Sequence, residues 1–253
     1  MPCQSGGMNE APEIWLAGID GCRAGWLAVF LRPADDAVRM TVLPRFAGVA
    51  DAPEKPAVIA VDIPIGLPER TGLGGRAAEN AVRSLLGARQ SSVFSVPSRA
   101  ALARADYREA CATALRTSDP PRAISKQLFM IAPKIREVDS ALRANAALAA
   151  RTFEVHPEVA FWRMNAECAL TEPKKVKGKV YPPGLALRRR LLIDAGLSPS
   201  LVESAPPRGA AEDDLLDALA CLVTAKRIHA GIAQPFPDPP PRDALGLRMA
   251  IWA

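Results

Sequence analysis

Two aspartates stand at the ends of short apolar runs in this sequence. Asp20 closes "IWLAGID", and Asp62 closes "AVIAVD", in which all five residues before the acid are apolar. Such runs indicate buried strands, and ligand sites in open α/β sheets lie beyond the carboxyl ends of their strands. On parallel neighbouring strands the two carboxylates would lie about 5 Å apart and would repel each other. Because a divalent cation would relieve that repulsion and oxygen ligands suit hard ions, the pair predicts a site for Mg²⁺ or Mn²⁺.

A late helical segment supplies candidates for a third metal ligand. In "EDDLLDALAC", Asp214 and Asp217 are three residues apart and therefore share one helix face. Asp217 is set among Leu and Ala, which favours a functional role. Asp214 lies in the first turn, where an acid is equally well explained by the helix dipole. Glu154 in "FEVHPE" is either a further ligand or an acid on the solvent face of an edge strand. We therefore predict Asp20, Asp62 and Asp217 as catalytic residues and metal ligands, with Asp214 and Glu154 as further ligands.

The elements that must position these acids follow from the apolar patterns. "IWLAGID", "GWLAVFL" and "AVRMTVL" predict a three-stranded antiparallel meander, and "PAVIAVDIP" predicts a fourth, central strand. Spacings of three and four predict helices from about residue 75 to 150, with Pro133 in the first turn of one of them. "RTFEVHPE" predicts a fifth strand, followed by helices in "PPGLALRRRLLIDAG" and "AAEDDLLDALACLVTAKRIHAG" and a candidate final strand in "LRMAIWA".

This order of elements predicts an α/β fold of the RNase H-like type. We expect a mixed five-stranded sheet in which the first and fourth strands are parallel neighbours. A large helical insertion, at about residues 70–150, separates the fourth strand from the fifth. Residues 13–253 are expected to form a single domain after a disordered leader at 1–12.

Composition excludes several classes of protein. The chain has 253 residues, a net charge of +5 and five cysteines, no two of which have C-x-x-C spacing. This argues against a zinc ribbon or a disulfide framework. No apolar run approaches the ~20 residues of a membrane span, and no secretory signal pattern is visible. We therefore expect a soluble, cytoplasmic protein.

Basic residues offer candidate contacts to phosphate groups. The segment "KKVKGKVYPPGLALRRR" carries seven basic residues and no acid. Its first half contains Lys174, Lys175 and Lys177 and is broken by glycine and proline, which predicts a loop that either contacts a phosphate backbone or is simply solvated. Lys134 and Arg99 are further candidates, with helix-surface charge as the alternative.

Six stretches of the chain together resemble one family. They are, in chain order, "GIDGCRAGW", "VDIPIGLPE", "SVFSVPSR", "SKQLFMIAPKIREVD", "FEVHPE" and "DDLLDALAC". They are similar to the motifs of domain-of-unknown-function family 429, whose members are predicted RNase H-like nucleases. The last of them also resembles the final helix of Holliday-junction resolvases, where paired acids bind metal. The resemblance implies that Asp214 and Asp217 join Asp20 and Asp62 as metal ligands.

The function expected from the residues and the resemblance is metal-dependent phosphodiester hydrolysis of nucleic acid, either DNA or RNA. Two ions would activate water and stabilise the leaving oxygen, so no side-chain nucleophile is needed. A nucleotide-dependent phosphotransferase on the same fold core is the alternative, although such chains carry two copies of the core and only one "GIDG" is present. A non-catalytic nucleic-acid-binding module is the third possibility.

His156 is either a structural histidine or a residue beside the metal.

Overall fold

A mixed β-sheet forms the centre of the molecule in the computed structural model, which describes residues 13–253. The leader predicted at 1–12 lies outside the described residues. The strands are β1 (Leu16–Cys22), β2 (Gly25–Arg32), β3 (Ala37–Leu43), β4 (Val58–Val61), β5 (Thr152–Glu154), β6 (Lys175–Val176), β7 (Lys179–Val180), β8 (Pro235–Phe236) and β9 (Ile251–Trp252). Seven of them make the central sheet in the order β3-β2-β1-β4-β5-β9-β8, and β6 and β7 form a separate hairpin.

The sheet is antiparallel at both edges and parallel in the middle. The predicted meander is present, since β1 pairs antiparallel with β2 and β2 with β3. The predicted parallel pairing of β1 with β4 is also present, with Leu16 opposite Val58 and Ile19 opposite Val61. Strands β4, β5 and β9 continue the parallel part, and β8 closes the edge in the antiparallel sense.

The sheet has seven strands where the sequence predicted five. The additional pair comes from the C-terminal region, where β8 and β9 extend the sheet beyond β5. Strand β9 falls within the predicted "LRMAIWA" segment, but its partner β8 was not expected. Strand β5 is only three residues long because Pro157, which has no N–H to offer a neighbouring strand, begins a helix instead.

The helices cover both faces of the sheet. They are α1 (Ala77–Arg83), α2 (Arg99–Leu102), α3 (Tyr107–Arg116), α4 (Lys126–Ala144), α5 (Ala146–Arg151), α6 (Pro157–Met164), α7 (Pro182–Asp194), α8 (Pro199–Val202) and α9 (Glu212–His229). Helices α1 to α5 lie between β4 and β5, where the insertion was predicted. None of the helices in the described part of the chain is long and apolar enough to cross a bilayer.

Helix α4 begins earlier than predicted. Ser125 caps it by accepting a hydrogen bond from the Leu128 amide, so Pro133 lies inside the helix rather than in its first turn.

The sheet divides the hydrophobic core into two layers, one packed against α9 and the other against α4. Leu16, Val58 and Ala60 pack on the side of α9. Their alternating neighbours, such as Ile19 and Val61, pack on the side of α4.

Candidate functional site

Helix α9 approaches β1 closely, and this packing places Asp217 near Asp20. A Cβ atom at Gly18 would stand 2.2 Å from the Ala218 carbonyl oxygen and 2.3 Å from the Leu222 amide nitrogen, so only glycine allows the contact. Because side chains alternate along a strand, Asp20 points to the same face as Gly18. Asp217 directly precedes Ala218 on the helix, so both acids belong to the α9 side of the sheet.

Asp62 joins them from the end of β4. Its backbone amide donates to the Ile19 carbonyl at 3.0 Å, which holds Asp62 beside Asp20 just beyond the last paired residues of the two strands. The alternation that places Val58 and Ala60 on the α9 side predicts the same side for Asp62. Three acids from separate segments therefore meet at the carboxyl ends of β1 and β4.

The electrostatics of the three carboxylates reflect this convergence. Burial raises the pKa of Asp20 well above its ordinary value, and the charges of Asp62 and Asp217 raise it further. Burial, followed by the charge of Asp217, raises the pKa of Asp62 to about 8. Burial also raises the pKa of Asp217. The three groups therefore disfavour each other's ionised forms, as expected for carboxylates that share a site without a cation.

Lys174 supplies a positive charge to this cluster. Its ammonium group forms an ion pair with Asp217 Oδ2. Burial lowers the pKa of Lys174, but the charges of Asp217 and Glu158 outweigh it, so the net pKa is raised. Lys174 was predicted to contact phosphate from a loop. In the structure it lies against the acids, where its ammonium group pairs with Asp217 Oδ2 and leaves Oδ1 without a partner among the described residues.

Glu158 is a site residue that sequence reasoning missed. It lies in the first turn of α6, and its charge raises the pKa of both Asp62 and Asp217. Its Oε1 accepts a hydrogen bond of 2.6 Å from the fully buried Arg188, whereas its Oε2 is buried without a partner among the described residues. The available signal was its position two residues after His156 in "FEVHPE", at the start of a helix that opens with proline.

Glu154, which the sequence predicted as a further metal ligand, faces the other side of the sheet. It pairs in register with Val61, whose side chain packs on the α4 side. Both Glu154 carboxylate oxygens accept hydrogen bonds from Arg76, and Oε2 also accepts one from the Ile65 amide at 2.8 Å. Both oxygens of Glu154 are therefore engaged in holding the loop that follows β4, although Glu154 lines the same cavity as Asp62.

Asp214 lies at the margin of the cluster. Its Oδ2 accepts a hydrogen bond of 2.8 Å from the Ala211 amide, so it caps its own helix as the helix-dipole alternative predicted. Its charge nevertheless adds to the pKa elevation of Asp20. Asp214 is thus close enough to influence the site electrostatically, although one of its oxygens is already engaged.

The remaining basic candidates divide into two groups. Arg99, which the sequence predicted as a substrate contact, forms ion pairs with Asp139 and Asp243 and so joins α2 to α4 and to the C-terminal segment. Lys134 stays near the site, since it lies 4.5 Å from the Trp26 ring centroid and donates to the Gly25 carbonyl. Lys175 pairs with Asp213 at 2.7 Å, and Lys177 is exposed at the turn of the β6–β7 hairpin.

Comparison with known proteins gives one result. The family model described as "Protein of unknown function (DUF429)" matches residues 18–242, most of the chain. The protein belongs to this family. Searches of curated proteins and of solved structures returned no match. The family match spans all of the converging acids, Asp20 to Asp217.

A cavity of about 270 Å³ opens beside Asp20 and Asp62, and we call it the acidic cavity. Its walls also include Glu79, Glu154 and His156, together with apolar residues of α4 and of the segment before α2. The His156 Nε2 atom lies 3.3 Å from the Ser92 carbonyl, and its Nδ1 atom has no hydrogen-bond partner among the described residues. The acids therefore stand at the wall of a space that can admit a ligand.

The chemistry of the donor atoms suits a hard divalent cation, but the side chains of the described residues are not arranged to hold one. Within residues 13–253, no group of three or more His, Cys, Asp or Glu side chains is arranged so that it could hold a metal ion. However, Asp217 Oδ1 and Glu158 Oε2 are buried without hydrogen-bond partners. Unpartnered carboxylate oxygens beside acids of raised pKa match the ligand chemistry of Mg²⁺ and Mn²⁺.

Proposed function

We propose that this protein is a metal-dependent phosphodiester hydrolase, a nuclease with an RNase H-like fold. The observation that carries the proposal is the convergence of Asp20, Asp62 and Asp217 from two parallel strand ends and one helix. The strand order β3-β2-β1-β4-β5, with β4 and β5 parallel to β1, supports the fold assignment. Acids that raise each other's pKa contribute nothing to stability, so their assembly is best explained by a cation that they bind.

The proposed ion would be held by Asp20, Asp62 and Asp217. The negative charge of Glu158 acts on two of these carboxylates, Asp62 and Asp217. When bound, Mg²⁺ or Mn²⁺ would activate a water molecule and stabilise the leaving oxygen of the phosphodiester. Lys174 neutralises Asp217 in the metal-free protein. If an ion took its place at Asp217, the Lys174 ammonium group would be available to contact a phosphate oxygen of the substrate.

The thiols near the site do not favour covalent catalysis. Cys221 on α9 is fully buried, and burial with the nearby charges of Asp62 and Asp20 raises its pKa well above the ordinary value. A protonated, inaccessible thiol is a poor nucleophile. Water activated at the carboxylates is therefore the better candidate for attack on phosphorus.

Nucleic acid is the substrate class that the charge distribution favours. The β6–β7 hairpin projects Lys177 and Lys179 into solvent next to Lys174, which enters the acid cluster. A polyanion bound along this hairpin would be guided toward the carboxylates, and the net charge of +5 would aid the encounter.

The test is cleavage of labelled single-stranded and double-stranded DNA and RNA in the presence of Mg²⁺ or Mn²⁺. Wild type should cleave at least one of these substrates, and the activity should disappear in EDTA. Asp217→Asn and Asp62→Asn should lose at least about 100-fold in rate, whereas the control Asp194→Asn, an exposed residue at the end of α7, should keep full activity.

Two outcomes would contradict the proposal. Cleavage that persists in the Asp217→Asn protein would place the chemistry elsewhere. Hydrolysis of ATP without cleavage of any polynucleotide would favour the phosphotransferase alternative.

A further inference from the structure

A second and larger cavity lies beside the acidic cavity. Its volume is about 560 Å³, within the range of small-molecule sites. It is enclosed by the loop at 71–74, the segment at 90–95 and the chain that enters α4 at 122–127. We call it the basic cavity, because its lining contains Arg83 and Arg122 and no Asp or Glu.

The charge of the basic cavity is opposite to that of its neighbour. The acidic cavity is lined by Asp20, Asp62, Glu79 and Glu154, the last two of which pair with Arg76, and its lining also includes Lys134. Val93 and Phe94 line both spaces, so a single short segment separates them. A ligand with several phosphates could therefore reach the acids with one group while another group contacts the guanidinium groups.

The guanidinium groups of the two arginines in the basic cavity differ in how firmly hydrogen bonds hold them. Arg83 is held in place because its guanidinium donates to the Gly74 carbonyl at 2.7 Å and to Asn80 Oδ1 at 3.1 Å. Arg122 is exposed and makes no side-chain hydrogen bond or ion pair within the described part of the chain. One cation is thus pre-positioned, and the other is free to close on an anion.

Other polar groups in the lining also lack partners. The side chains of Gln90, Ser91 and Gln127 take part in no hydrogen bond among residues 13–253. An apolar wall faces them, formed by Phe94, Ile124 and Leu73, whose side chain is 75% exposed at the mouth of the cavity. An exposed leucine and an aromatic ring beside free amide groups are suited to hold a planar heterocycle.

We propose that the basic cavity binds a nucleotide, with the phosphate on Arg83 and Arg122 and the base against Phe94 and Leu73. If the protein is the nuclease proposed above, on which this part of the inference rests, that nucleotide is the one flanking the scissile phosphate. The shared wall of Val93 and Phe94 then separates the nucleotide that is bound from the bond that is cut.

Binding of mononucleotide to the metal-free protein tests the cavity without any chemistry. The probes are 5′-AMP, adenosine and inorganic phosphate, each titrated by calorimetry. AMP should bind more tightly than either adenosine or inorganic phosphate, because only AMP engages both the guanidinium groups and the apolar wall. Equal affinity for AMP and inorganic phosphate would overturn the proposal.

Two variants and a matched control locate the binding. Arg122→Glu should weaken AMP binding by about tenfold or more, the effect of losing a charge-assisted contact to phosphate. Ala123→Trp should block the cavity from an exposed position without disturbing the core. Arg108→Glu makes the same charge change at an exposed site on α3 outside the lining and should bind AMP as wild type does. Similar losses in Arg122→Glu and Arg108→Glu would contradict the assignment.

A competition experiment separates this inference from the proposed nuclease activity. With EDTA present, so that the proposed chemistry is stopped, AMP should displace a labelled ten-nucleotide single-stranded DNA from the wild-type protein. AMP binding without displacement would reject the flanking position. A protein that binds AMP at the cavity but cleaves nothing would refute the nuclease proposal and leave the nucleotide site standing.

Discussion

At the scale of single residues, the site contains three carboxylates that repel each other and one lysine that partly neutralises their negative charge. Asp20, Asp62 and Asp217 raise each other's pKa, and Lys174 partly offsets their repulsion through Asp217. Such a cluster costs the metal-free protein stability whenever the acids are ionised. The acids therefore link stability to pH and to cations in ways that can be measured.

The first prediction concerns the pH dependence of stability. The pKa of Asp62 is raised from 3.8 to about 8, so the folded protein retains a proton that the unfolded chain releases near its ordinary pKa. Stability contributed by that proton is lost as pH rises from 4 toward 8. Asp62→Asn removes this loss. Its melting temperature minus that of wild type, measured in EDTA, should therefore be larger at pH 8 than at pH 5. A difference that is constant across this range would show that Asp62 does not carry a raised pKa.

The second prediction concerns Lys174. If a metal ion displaces its ammonium from Asp217, Lys174→Met should bind Mn²⁺ more tightly, by roughly tenfold or about 1.4 kcal/mol. The same variant should melt at a lower temperature than wild type in EDTA, because the acids lose their compensating charge. Lys175→Met, which removes a neighbouring lysine that pairs with Asp213, is the control and should bind Mn²⁺ as wild type does. Weaker Mn²⁺ binding in Lys174→Met would indicate that the lysine supports the ion instead of competing with it.

At the scale of elements, the contact between α9 and β1 places the helix that carries Asp217. Gly18 is the residue on which this contact depends, because backbone atoms of Ala218 and Leu222 occupy the space of a side chain. The small residue that this contact requires therefore lies on the strand and not on the helix.

The third prediction tests this contact. Gly18→Ala should destabilise the protein by about 1–3 kcal/mol, the usual range for overpacking a core, or by more, since the obstructing atoms are backbone. Gly72→Ala is the matched control, because nothing lies within 4 Å of the position that its Cβ would occupy and its backbone angles suit alanine. Thermal or urea unfolding of the two variants gives the comparison. Equal stability in both variants would mean that α9 does not sit where the structure places it.

Local sequence patterns predicted which strands and helices carry the acids better than they predicted the long-range contacts that the side chains make. Asp20, Asp62 and Asp217 could be found because a strand end and a helix face are visible in short stretches of sequence. The direction of Glu154 could not, because it depends on the register between β4 and β5, which long-range pairing sets. The ion pair of Lys174 and the role of Glu158 likewise depend on how distant segments pack. Strand β8, the partner of β9, was obscured by its length of only two residues.

At the scale of the whole molecule, opposite charges are kept in separate regions that adjoin. Asp20 and Asp62 line one cavity, the basic cavity lies across Val93 and Phe94, and the β6–β7 hairpin projects near α9. Under the proposed function, this distribution would let a polyanion bind through basic groups while one phosphate reaches the carboxylates.

The fourth prediction concerns that overall charge pattern. Changing Lys177 and Lys179 together to alanine should weaken polynucleotide binding and lower the slope of log K against log salt by about 0.7–0.9 per lost contact. The double change Arg104→Ala and Arg108→Ala removes equal charge from another exposed surface and should leave the slope unchanged. If both double variants gave the wild-type slope, the hairpin would be a solvated surface feature.

The central claim is that Asp20, Asp62 and Asp217 hold a divalent cation. Anomalous diffraction from a crystal soaked in Mn²⁺ tests it most directly, because it locates the ion and its ligands together. The account predicts an anomalous peak about 2.0–2.3 Å from carboxylate oxygens of all three residues, with the Lys174 ammonium moved away from Asp217. A crystal that shows no peak there, with Lys174 still paired to Asp217 at saturating Mn²⁺, would contradict it.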